Sequence, residues 1–120
     1  MKIQEIAFVG IPVTDVPRSR KFYETVLGLK KTGEFMETQW VEYEVGAGTL
    51  AIANVGDDWR PSGQGTSVAL EVDNFDQAIA ELKKANVPFD AEPFESPVCY
   101  MAVVRDPDGN KIIIHKLKSA

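Results

Sequence analysis

The chain has 120 residues, 44% of them apolar, and carries 13 basic and 18 acidic side chains for a net charge of −5. That length allows one domain, or two small modules sharing a core, and the acidic balance excludes the basic face that nucleic acid or an anionic membrane demands. No apolar run nears the roughly 18 residues of a membrane span. The lone cysteine, Cys99, and an N-terminus without a secretory pattern give the expectation of a cytoplasmic protein.

In chain order, EIAFVGIPV reads as a first strand. Asp15 then caps an amphipathic helix with Pro17 in its first turn, a stripe of Val16, Tyr23 and Leu27, and a stop at Gly28. Three strands follow near residues 29–37, 39–45 and 49–54, the last two joined by Gly46-Ala47-Gly48. The stretch GDDWRPSGQG, residues 56–65, is composed like a linker. The plan then repeats. TSVALEV is a strand, Asn74 and Gln77 have capping-box spacing, and Phe75, Ile79 and Leu82 form the helical stripe. Strands near residues 89–94, 100–105 and 111–117 complete the second half, with DPDGN turning the last hairpin. The expectation is one domain, residues 1–120, of two β-α-β-β-β modules, about 1–55 and 66–117, joined by linker 56–65.

Alternation assigns the faces, because successive strand residues point to opposite sides of a sheet. The more apolar parity, Val9, Ile11, Val41, Tyr43, Leu50 and Ile52 with Leu70, Met101, Val103, Ile112 and Ile114, is expected beneath the helices. The opposite parity holds Phe8, Gly10, Trp40, Glu42, Ala51 and Ala53 in the first half. In the second it holds Ser67, Ala69, Glu71, Tyr100, Ala102, Ile113 and His115. A sheet face in bulk water does not ordinarily gather Phe8, Trp40, Tyr100 and Ile113. That face therefore lines a small-molecule pocket, or it forms a second solid core or an interface.

Over essentially the whole chain, FVGIPVTDVPRSRKFYETVLGLK, LEVDNFDQAIAEL and DPDGNKIII resemble the glyoxalase, bleomycin-resistance and extradiol dioxygenase superfamily, called vicinal oxygen chelate. The resemblance implies an α+β fold in which two tandem βαβββ modules form an open, cupped β-barrel with helices outside, often as a homodimer. It implies function inside the barrel, where enzymes of the family hold a divalent metal. Their ligand positions, carried over, fall on Phe8, Ala51, Ser67 and Ile113. None of these side chains is a competent ligand for a divalent transition metal, so no metal and no cofactor is expected.

Two functions follow. The first is metal-independent binding of an apolar or aromatic small molecule, with Phe8, Trp40, Glu42, Ser67, Tyr100, Ile113 and His115 as ligand-binding residues. Trp40 and Tyr100 occupy corresponding strands, and aromatic faces there favour a planar guest by stacking. The second is a lyase or oxidoreductase of the glyoxalase or dioxygenase kind, with an unconventional metal or acid–base site. His115, the only histidine, and Glu42 would be its catalytic residues. Trp59 is a candidate lid or loop anchor, and Cys99 reads as a buried thiol.

Overall fold

Both helices begin where their caps predict. Asp15 accepts a hydrogen bond from the Arg18 backbone N–H at 3.0 Å, and Asn74 accepts one from Gln77 N–H at 3.0 Å. The structure, a computed structural model, describes residues 1–119. It divides into two compact units, the first spanning Met1–Pro61 and the second starting at Ser62.

Each unit is a β-α-β-β-β module. The first runs β1 (Val9–Pro12), α1 (Val16–Arg20), β2 (Lys30–Phe35), β3 (Trp40–Val45) and β4 (Gly48–Ala53). The second runs β5 (Val68–Glu71), α2 (Phe75–Lys84), β6 (Phe89–Glu95), β7 (Cys99–Arg105) and β8 (Lys111–Leu117). The sheets have equivalent orders, β1-β4-β3-β2 and β5-β8-β7-β6. In each the first strand lies parallel to the last, with the helix as the crossover that a parallel pair needs. The fold is thus α+β, built from tandem βαβββ modules.

The first helix differs from expectation. After Arg20 it widens into a π-helical segment, Lys21–Val26, in which Leu27 N–H reaches Phe22 C=O at 2.9 Å. The core stripe shifts accordingly. Phe22 and Tyr23, consecutive in sequence, are both buried, whereas Leu27 is only half-buried. The wider turn lets two adjacent aromatic rings enter the core, where they meet edge to face at 5.1 Å.

Under α1, Val41, Tyr43, Leu50 and Ile52 are buried as alternation predicts. Each such apolar side chain contributes about 1.5–3 kcal/mol by leaving water. Tyr43 also donates its hydroxyl to Glu24 at 2.9 Å, and Glu24 is forked by Arg20 at 2.6 and 3.2 Å. The Arg20 hydrogen bonds, with one from Tyr43, hold the Glu24 carboxyl below its ordinary value, while burial and that carboxylate push the Tyr43 phenol up. A depressed carboxylate stabilises the fold above its unfolded pKa and loses that contribution as pH falls through its folded one. Between about pH 6 and pH 3, the urea midpoint of the wild type should therefore fall more steeply than that of Glu24→Gln. Parallel acid limbs would remove Glu24 from the acid response.

In the second sheet one face assignment is corrected. Antiparallel partners share a face, and β7 pairs with β8 as Met101↔His115, Ala102↔Ile114, Val103↔Ile113 and Val104↔Ile112. Ala102 and Val104, fully buried, therefore lie with Ile112 and Ile114 on the α2 side, and Tyr100 lies there too. Met101 and Val103 join Ile113 and His115 on the face away from α2. The cause is turn length. Two residues separate Val45 from Gly48, but five, Asp106 to Asn110, separate Arg105 from Lys111. An odd difference flips the phase of β7 against the analogy with β3.

Candidate functional site

The first module's helix-free face is aromatic. Registers Trp40↔Ala53, Glu42↔Ala51 and Gly10↔Ala51 put Trp40, Glu42, Gly10 and the two alanines on it together. Phe8, just before β1, meets Trp40 edge to face at 5.4 Å. Trp59 folds down from the linker and stacks on Trp40, with ring centroids 6.3 Å apart and planes 21° apart. A Cβ on Gly10 would stand only 3.0 Å from two ring carbons of Trp59, so a glycine is what lets the indole lie against β1. Ala51 and Ala53 are fully buried, and their small side chains leave the sheet low enough for the rings above it.

Glu42 supplies the polar element. Its carboxylate accepts the Trp40 indole N–H at 2.9 Å, which fixes the ring against the strand. Phe8 remains 45% exposed, and Trp40 and Trp59 are half-buried, so the rings keep exposed surface. Aromatic pairs in this geometry contribute about 0.5–1.5 kcal/mol beyond area burial, which keeps the platform formed without a ligand.

The second module's helix-free face is built on β5, β7 and β8. Ile113 sits between Ala69 and Val103, and His115 between Glu71 and Met101. His115 Nδ1 and Glu71 Oε1 are 2.5 Å apart, and the other carboxylate oxygen accepts Leu117 N–H at 2.8 Å. The His115 hydrogen bond first, and the Leu117 backbone N–H next, hold the Glu71 carboxyl below its ordinary value. Ser67 precedes β5 and is exposed.

Several expected site residues are thus placed differently from the sequence reading. Phe8, Trp40 and Glu42 come together in one module, and Ile113 and His115 share a face in the other. The carboxylate bound to His115 is Glu71, while Glu42 is engaged by Trp40. Tyr100 is on the helix side, 5.7 Å from Phe75, with Lys118 Nζ 5.2 Å above its ring. It borders a cleft of about 320 Å³ with Asp73 and Lys116, at the start of α2. Trp59, whose contact with Trp40 no periodicity announces, is the added member of the aromatic set.

The divalent metal that the superfamily's enzymes hold does not fit here. Phe8, Ala51 and Ile113 offer no donor atom, and Ser67 only a neutral hydroxyl. Among the described residues, no three His, Cys, Asp or Glu side chains gather as a metal site. Among them, too, no helix is long and apolar enough to cross a membrane.

Known proteins agree with this architecture. A lactoylglutathione lyase of Escherichia coli is 33% identical, the match covering 90% of this chain and 89% of that protein. An antibiotic binding protein from a Streptomyces species superposes with a TM-score of 0.83 at 22% identity, covering 98% of this chain and 99% of that one. A lactoylglutathione lyase from Agrobacterium tumefaciens gives 0.76 at 16% identity, over 96% and 95%. At such identities the two structures speak for the fold alone. The family model of the Glyoxalase/Bleomycin resistance protein/Dioxygenase superfamily matches residues 5–114, and the chain belongs to that superfamily.

Proposed function

We propose that the protein binds an apolar or aromatic small molecule on a helix-free sheet face, without a metal ion. The observation that carries this reading is the platform of Phe8, Trp40 and Trp59 on the first module's helix-free face, with Phe8 at a position that the resemblance makes a metal-ligand position in the family's enzymes. The rings offer flat apolar surface, and Glu42 is the polar group at their edge. Within the second module, Ile113 beside Ala69 and Val103 makes that sheet's helix-free face apolar as well. One similar structure, named an antibiotic binding protein, supports a binding role, and the relatives named lyases supply the competing one.

A reducing cytoplasm suits the free, buried Cys99, and a homodimer suits sheets that, among the described residues, end on β1 and β2 in one module and on β5 and β6 in the other. The binding reading is tested by a thermal-shift screen of aromatic and polar metabolites on chelator-treated protein. Any guest preferring the native state raises the melting temperature as its concentration passes its Kd. Shifts confined to aromatic compounds support the proposal. Shifts that require added divalent metal, or none across the screen, refute it.

A further inference from the structure

We infer that Glu71 and His115 form a proton-accepting pair that selects guests bearing a weakly acidic hydroxyl, a phenol or an enol. We rest this on the reading that a helix-free face holds an organic molecule, and specify its chemistry. The two residues are register partners on the adjacent parallel strands β5 and β8, so the backbone itself brings them together. Both oxygens of Glu71 are committed, one to His115 Nδ1 and one to Leu117 N–H, which fixes the carboxylate in place. An ionised carboxylate only accepts hydrogen bonds. The proton of a neutral His115 therefore resides on Nδ1, and Nε2 presents a lone pair.

That nitrogen is available. Among the described residues, the hydrogen bond of the His115 ring is the one to Glu71 through Nδ1, and its side chain is 26% exposed. The surroundings are apolar and small: Ile113 and Ala69 on the same face, with Met101 opposite. The charged group facing the ring is Glu71 from β5, and β7 contributes only neutral Met101. Lys116, next along β8, borders the α2-side cleft, and its charge also acts on the Glu71 carboxylate.

These features discriminate between acids. A carboxylic acid arrives already ionised, has no proton to give, and is repelled by Glu71. An aliphatic alcohol is too weak an acid to surrender its proton to imidazole. A phenol or enol, a stronger acid than an alcohol yet still carrying its proton where a carboxylic acid has lost it, matches the pair. In the complex the hydroxyl proton moves to Nε2 and the O–H electron pair stays on oxygen. The resulting imidazolium lies between the new oxyanion and the Glu71 carboxylate, so charge and protons balance with no further reactant.

The experiment uses 4-nitrophenol and its methyl ether, 4-nitroanisole, at neutral pH, where free phenol and phenolate are both present. Wild-type protein should bind nitrophenol with the red-shifted spectrum of the phenolate. His115→Phe, which keeps a ring but no acceptor, should weaken nitrophenol at least about tenfold and return the phenol spectrum. Glu71→Gln should fall between the two, and nitroanisole should bind all three proteins alike. A phenol spectrum in the wild-type complex, which needs no variant to observe, overturns this inference and leaves the binding reading intact. So does nitrophenol affinity unchanged in His115→Phe. Failure of both probes to bind wild-type protein overturns the inference together with the reading beneath it.

Discussion

Asp106→Ala is expected to lower the unfolding free energy by about 3 kcal/mol, read as a drop in urea midpoint at unchanged slope. Asp106 is only 3% exposed, and its side chain braces the turn before β8 beside the backbone bonds from Asp106 N–H to Asn110 C=O and from Gly109 N–H to Asp106 C=O. One carboxylate oxygen accepts N–H from Asp108 at 2.9 Å and from Asn110 at 2.8 Å, and the other accepts the Asn110 side-chain amide at 2.9 Å. Alanine removes the acceptor of three hydrogen bonds, two of them from the buried Asn110, and hydrogen bonds to a charged group contribute about 1.5–3 kcal/mol each. Gly109, at φ +83°, meets the turn's need for a left-handed residue, so the loss falls on hydrogen bonding rather than on backbone strain. Asp106→Asn keeps one acceptor and should lose about half as much. This turn also sets the phase of β7 against β8, which decides that Met101 rather than Tyr100 stands opposite His115. A change within about 0.5 kcal/mol would show that the strands hold the register unaided.

Trp40→Ala should weaken binding of the best compound from the thermal-shift screen at least about tenfold, equivalent to about 1.4 kcal/mol. Trp40 is the ring that both Phe8 and Trp59 touch, so its loss removes the middle of the platform and the support of Trp59. It also leaves the Glu42 carboxylate without its indole donor. Trp40→Phe keeps an aromatic face and should lose less, and Tyr100→Ala, on the other side of its own sheet, should leave affinity unchanged. Calorimetric titration separates these outcomes. Equal loss for Trp40→Ala and Tyr100→Ala would mean that the guest does not rest on this face.

Legibility from sequence varied with the contrast between the two phases of each strand. In Trp40-Val41-Glu42-Tyr43-Glu44 the phases differ sharply, one with acidic side chains and one without, and the first sheet's faces follow directly. Cys99-Tyr100-Met101-Ala102-Val103-Val104 is apolar in both phases apart from its tyrosine hydroxyl. Its orientation had to be borrowed from the first module, and the longer turn breaks that analogy. The helix starts were legible because Asp15 and Asn74 cap through local hydrogen bonds. The π-helical widening was not, since it arises from packing two consecutive aromatic rings. Alternation placed Glu71 and His115 on one face but could not state their register, which long-range pairing decides. The descent of Trp59 onto Trp40 and Gly10 is likewise a tertiary contact without a periodic signature.

Both tryptophans of the chain, Trp40 and Trp59, stand in the aromatic platform. Intrinsic tryptophan emission of chelator-treated protein, titrated with planar aromatic compounds, therefore reads the central claim directly. A saturable change in emission, the same before and after divalent zinc or nickel is restored, is the predicted result. Emission that responds only once the metal is present, or that no aromatic compound alters, would contradict metal-free aromatic binding.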